Sequence, residues 1–232
     1  MRIVNTAKSV KKPLMTKTEL VKRYILFIIS LFFSGLGVAF TKIGGLGVSP
    51  ISSLANVLNI RFDSISIGVW LVVTNFMLVL LQKAILRRQF RPIQLLQIPL
   101  AAVFGYFTDL GLVIVSNIPV NTYVMQIVMV VTGSVVLGLG ITLAVTASVI
   151  MNAGESVVQI LSQKLNISFG TIKIVFDVCY VAFSALVSII LFSSEVYGIR
   201  EGTLIVAALT GVVVKFFVKI LKKPLETVLK GK

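Results

Sequence analysis

The sequence predicts an all-α membrane protein of six transmembrane helices, built as two inverted three-helix repeats that each contain a short interrupted or re-entrant helix. Three observations carry that prediction. The 232 residues are 57% hydrophobic and only 13% charged, with a mean hydropathy of +1.03. That leaves too little polar side chain to coat a water-soluble globule, so lipid is the solvent for much of the chain. Six apolar segments have the length that crosses a hydrocarbon core. The stretch Gly47 to Phe76 returns 107 residues later as Gly154 to Phe183, with ten identities in thirty, where this composition gives roughly two or three in a random register.

Residues 1–23 hold seven bases against one acid, Glu19, and read as a basic cytoplasmic tail. Tyr24 to Phe40 follows as the first span. It is longer than a signal-peptide core and no small-x-small cleavage site comes after it. The other spans are Ile65 to Leu86, Ile93 to Val115, Tyr123 to Val149, Gly170 to Phe192 and Thr203 to Leu221. The first repeat thus occupies 24–115, the second 123–222, and a basic cytoplasmic tail 223–232. Lys83, Arg87, Arg88 and Arg91 gather between spans two and three, and six lysines from Lys215 onwards at the end, whereas Ser116 to Thr122 is uncharged. The positive-inside rule then puts both termini in the cytoplasm. The same distribution explains the net charge of +14 without nucleic acid, for which no base-reading motif is present.

Between spans one and two, and again between four and five, a glycine or asparagine turn opens about ten residues of helical periodicity. Ile51, Leu54 and Leu58 mark one, Val157, Leu161 and Leu165 the other. These pieces are too short to cross and suit half-helices dipping into the protein or lying on its surface. A weaker third match pairs Ala101-Ala102-x-x-Gly105 with Ala207-Ala208-x-x-Gly211. Three crossings per half make the second half enter from the opposite side, the plan of many secondary transporters, whose substrate sits where half-helix ends meet. Duplication as a simple route to six helices is the plainer alternative. Small residues four apart, Ser134/Gly138 and Ala144/Ser148, read as helix packing.

The candidate site lies where the copies differ. Val48, Ser66 and Trp70 are answered by Glu155, Lys173 and Asp177. Asp177 falls about 12 Å along its span, a depth at which an ionisable residue is a functional hypothesis by default. Lys173 stands at i, i+4 from it, so a structural ion pair is the competing reading. Glu155 follows the Asn152-Ala153-Gly154 turn, where it either complements a helix dipole or lines a substrate cavity. Gly47 and Ser49 are the first-half equivalents of that turn. Arg200, Glu201 and Thr203 form a polar start to the last span, a cap or a gate. Asp109 is a weaker candidate near the outer end of its span. With one cysteine and no histidine, no metal site or cofactor is expected. Without a Walker motif or an activated nucleophile, an enzyme is not expected either.

The strings Gly47-Val48-Ser49-Pro50, Met151-Asn152-Ala153-Gly154-Glu155, Phe169-Gly170-x-x-Lys173-Ile174-x-Phe176-Asp177 and Gly198-Ile199-Arg200-Glu201-Gly202-Thr203 resemble the YczE/YitT-like bacterial membrane proteins, in the branch with a Gly-x-Arg-Glu-Gly-Thr signature. The resemblance implies a multi-span bacterial plasma-membrane protein and supplies no substrate. The first turn departs from the Gly-x-Gly-Pro common among those relatives, and Ser49 lacks the backbone freedom with which glycine would cradle an anion. The expected function is small-molecule transport, the partners being the bilayer and an unknown small-molecule ligand. A substrate-binding subunit of an energy-coupling-factor importer is the first alternative, with Ser30, Ser34 and Gly37 as a docking face for a partner subunit. A non-transporting assembly or regulatory protein, alone or as a homo-oligomer, is the second.

Overall fold

A computed structural model describes residues 16–193 and 195–230. Among them the chain is helical throughout: α1 Lys17–Ile43, α2 Ser53–Arg61, α3 Ile67–Leu86, α4 Gln97–Val115, α5 Tyr123–Ala147, α6 Ala153–Leu165, α7 Phe169–Leu191 and α8 Glu201–Lys230. Six of these, all but α2 and α6, are long and apolar enough to span a membrane, and the chain is a multi-pass membrane protein. Residues 1–15 of the expected basic tail lie outside the described residues.

Local chemistry sets the boundaries. Thr16, Ser66, Thr122 and Ser168 each accept a hydrogen bond from the backbone three residues on, starting α1, α3, α5 and α7. Left-handed residues end α5 at Ser148 and α6 at Asn166. Two boundaries move outward from the sequence expectation. α1 begins at Lys17, not Tyr24, because the Arg23 guanidinium is buried: it pairs with Glu19 at 2.8 Å and donates to the last carbonyls of α5, Thr146 and Ala147, at 3.3 and 3.1 Å. α8 runs unbroken through Pro224 to Lys230.

The packing comes in matched pairs when α1 to α4 are aligned with α5 to α8. α1 packs on α4 as α5 packs on α8, α2 on α3 as α6 on α7, α3 on α6 as α2 on α7, and α1 and α5 pack on each other at the centre. Ser30, Ser34 and Gly37 are buried in that centre, Gly37 against Leu137 and Ser34 against Gly140. This corrects their expected role as a docking face: small residues there let α1 and α5 approach each other, not a partner.

The most extensive pair without a match is α3 on α4. α3 crosses α4 so closely that a Cβ on Gly68 would strike the Gly105 carbonyl, and one on Gly105 the Gly68 backbone. Asp109 on α4 clamps the start of α3, accepting from Gly68 N at 2.9 Å and Ser66 Oγ at 2.6 Å. In the second half α7 and α8 scarcely touch, and Gly211, the counterpart of Gly105, has nothing within 4 Å of where a Cβ would stand. The sequence supplies the reason. Gly68 is answered by the larger Val175, Ser66 by Lys173, and Asp109, in the register of the third element, by Lys215. The carboxylate that clamps α3 becomes a base, facing a helix start that already carries partial positive charge and a lysine. We expect Asp109→Asn to destabilise the protein by about 1–2 kcal/mol through the loss of this charged cap, read as a lower midpoint in thermal unfolding.

Candidate functional site

The ten sequence-predicted residues fall into two groups on either side of a central junction. At one end of the bundle, the Gly44 to Ser49 turn meets the start of α8. Gly47 has φ +112° and a Cβ there would strike Thr203 Oγ1; the Gly47 backbone also bridges to Ile199. Only glycine meets both demands. Thr203 is 1% exposed, and its hydroxyl makes no hydrogen bond, so it is not a helix cap. Arg200 and Glu201 pair with each other in the open at 3.0 Å. Ser49 is the N-cap of a 3-10 turn, Pro50–Ser52, and its hydroxyl donates to Ser52 Oγ at 2.9 Å. Within this group, Gly47 and Thr203 join one half of the chain to the other.

At the junction the two short helices meet start to start. Ile51, in the turn that leads into α2, fills the space beside Gly154 at the start of α6, its Cδ1 2.5 Å from where a Cβ would be. Leu54 of α2 packs in one cluster with Ala153 and Val157 of α6, Leu78 and Val79 of α3 and Tyr180 of α7. Ser53 donates to Ser184 of α7 at 2.8 Å. The positive ends of two helix dipoles therefore converge inside the bundle.

Of the second group, Asn152 and Glu155 line a cavity of about 250 Å³ on the α6 side of this junction, and Gly154, Lys173 and Asp177 stand outside its wall. Its walls are Ile141, Ala144 and Val145 of α5, the connection Ser148 to Asn152, and Glu155. The face of α5 that packs Gly138 against Val213 of α8 continues toward this wall, to which α8 contributes no residue. Ala144 and Ser148 both line this hollow, and Ala144 also packs, as expected, against the cluster of Phe27 and Leu31 of α1 with Ala147 of α5. Asn152 is the N-cap of α6 but makes no side-chain cap hydrogen bond. Glu155 is partly buried, and its Oε2 is sealed off without a hydrogen-bond partner. Asp177 is held by Lys173 at 2.6 Å, with both side chains largely covered, and it feels the charges of both Lys173 and Glu155. The cluster contains two carboxylates and one ammonium. The first-half counterparts of the two carboxylates are apolar: Val48 is fully buried and Trp70 packs against the cluster of Ala55, Ile67 and Leu71.

Sequence reasoning missed the support behind this site. Gln82 of α3 is 0% exposed; its amide donates to the Ala153 carbonyl at 3.1 Å and to Gln97 at 2.8 Å, and Gln97 donates to Ser156 at 3.1 Å. Three glutamines in apolar or interfacial segments, Gln82, Gln94 and Gln97, were the available signal, since an amide in such a place needs partners. Replacing Gln82 by Leu leaves the Gln97 side-chain oxygen without its donor and removes the side-chain bond to the Ala153 carbonyl. It should cost about 1–3 kcal/mol, seen as a lower unfolding midpoint in detergent.

Among the described residues, no cluster of three or more Cys, Asp or Glu side chains could hold a metal ion. Residues 21–219 match the profile of a family of unknown function, DUF6198. No curated protein matches the chain, and no solved structure does.

Proposed function

We propose that this chain, which belongs to the DUF6198 family, is a small-molecule transporter whose substrate binds between its two halves beside Glu155, Lys173 and Asp177. The observation that carries this reading is the end-to-end meeting of the two short helices next to a cavity whose wall, all of it from the second half, carries one charged group, Glu155. Discontinuous helices at the interface of two related halves are how many carriers build a binding site inside a membrane.

The matched packing of the elements supports an inverted pair, and the unmatched seam supports a working cycle. The first half is shut by α3 on α4; in the second, α7 and α8 stand apart, and the cavity lies in that same half, between α5 and the start of α6. Closing α7 onto α8 would give the second half the shape of the first and seal the cavity on that side. A compensating loosening in the first half would expose the site on the other. With the basic connections at 83–91 and from Lys215 onwards assigned to the cytoplasm, the cavity faces the cytoplasm. The bacterial plasma membrane is the location that the YczE/YitT-like strings suggest.

A second reading has its own observation. α7 and α8 are the least buried of the spanning helices, leaving broad apolar faces that a partner subunit could cover. A binding subunit of an importer would use such faces, now in place of Ser30, Ser34 and Gly37. Reconstitution into liposomes separates the two: uptake or exchange of a metabolite by the purified chain alone supports the carrier. Binding without flux until a partner is supplied supports the subunit.

A further inference from the structure

We infer that the cavity takes a small organic monocation, an ammonium group with an apolar body, and that Glu155 is its anchoring acceptor. The inference rests on the binding-site reading above and names the ligand class for it. Charge comes first. Lys173 is engaged by Asp177 at 2.6 Å, so Glu155 leaves the group with one uncompensated negative charge, and one of its oxygens is sealed off without a partner. An isolated carboxylate in such surroundings is costly unless it is paired. An anionic ligand would add a third negative charge beside a lysine already engaged. A neutral ligand would leave the imbalance in place, and a monocation removes it.

The rest of the lining sets the shape of that cation. Asn152, whose side chain is not used to cap α6, and Ser148 offer acceptor oxygens beside Glu155, while Ile141, Ala144, Val145, Val149, Ile150 and Met151 make the remaining wall apolar. A calcium or magnesium ion wants six or more oxygen ligands or a cage of waters, and zinc wants histidine nitrogen or cysteine sulfur ligands, none of which this wall supplies. An ammonium needs a few acceptors and lets its hydrocarbon part lie against the aliphatic side chains.

The test is binding of primary alkylammonium ions, methyl to hexyl, to the purified full chain in nanodiscs, followed as a shift of the thermal unfolding midpoint at fixed ionic strength. Butanoate and butanol serve as anionic and neutral comparators. The wild type should be stabilised by the ammonium ions only, with affinity rising about fourfold per added methylene until the cavity is full. Glu155→Gln should lose the effect. Val145→Phe, which fills the cavity from an exposed position and leaves every charge in place, should lose it too, and serves if Glu155→Gln fails to fold. Stabilisation by butanoate or butanol equal to that by butylammonium would overturn the cation assignment while leaving a binding site in place. An ammonium effect that survives in both variants, or no shift with any probe, would also overturn it. Ammonium binding that is lost in the variants, without flux in liposomes, would uphold the cation and remove the carrier.

Discussion

Gly105→Leu should prevent the protein from folding, whereas Gly211→Leu, at the corresponding place in the other half, should fold normally and transport nothing. In the first half a Cβ on Gly105 would meet the carbonyl of Gly68 and stand 3.0 Å from its carbonyl carbon. These are backbone atoms of a rigid helix and cannot move aside as a side-chain tip would. Forcing a leucine between them costs about 3 kcal/mol or more, a large part of a total stability of roughly 5–15 kcal/mol. Gly211 has open space around it, so a leucine there has nothing to strike while α7 and α8 stand apart. It would, however, hold them apart, because the closed seam would need the same close crossing that α3 makes with α4. Thermal unfolding and liposome flux, measured side by side, separate the two effects. Equal destabilisation by both substitutions would mean that α8 is covered in the native protein, and normal flux in Gly211→Leu would mean that the seam does not close.

Asp177→Asn should keep the fold and lose transport. The Lys173–Asp177 pair spans one helical turn, and the two side chains are 28% and 19% exposed. Lys173 lies one turn into α7 and has the reach to bring its ammonium to the membrane surface once unpaired. The stability cost is therefore about 1 kcal/mol, as for a pair near water. The functional cost is larger. A neutral amide in place of the carboxylate would leave Lys173 as free positive charge beside the ligand, and flux should fall by about 30-fold or more, matching the roughly 2 kcal/mol lost when one member of a covered charge pair is removed. If the pair only held α7 in place, removing both charges with Lys173→Gln and Asp177→Asn together would leave flux as low as in Asp177→Asn. Because the harm comes from the unpaired ammonium, the double variant should instead recover flux.

Much of this is legible in the sequence because lipid makes strong demands on it. The six spans follow from hydropathy, and the two short helices follow from the return of Gly47 to Phe76 as Gly154 to Phe183. Glu155, Lys173 and Asp177 stand out as charge gained against an apolar or neutral counterpart, and the fold brings them within electrostatic reach of one another. Gly47 and Thr203 each carry a local signal, one for a turn and the other for a cap or gate. Their contact is invisible in the sequence because it joins residues far apart in the chain. Arg23 is hidden for a different reason: in a basic stretch it looks like a topology signal, and only the fold shows its guanidinium on the carbonyls at the end of α5. Asp109 looks like a hydrated acid near a membrane surface and is instead the clamp on α3. The open seam is encoded in Val175, Lys173 and Lys215, but reading it requires knowing that their counterparts close the first half.

The most direct test is the separation of α7 and α8. Spin labels at Phe183→Cys and Val212→Cys, exposed positions whose first-half counterparts Phe76 and Tyr106 stay exposed beside the closed seam, with the exposed native Cys179 replaced by Ser, report it in lipid nanodiscs. Two populated separations are predicted, one for the open seam and one consistent with helix axes about 8–10 Å apart, as in a packed pair. Glu155→Gln should change their ratio. A single separation, unchanged by Glu155→Gln, would contradict a second half that opens and closes around the site.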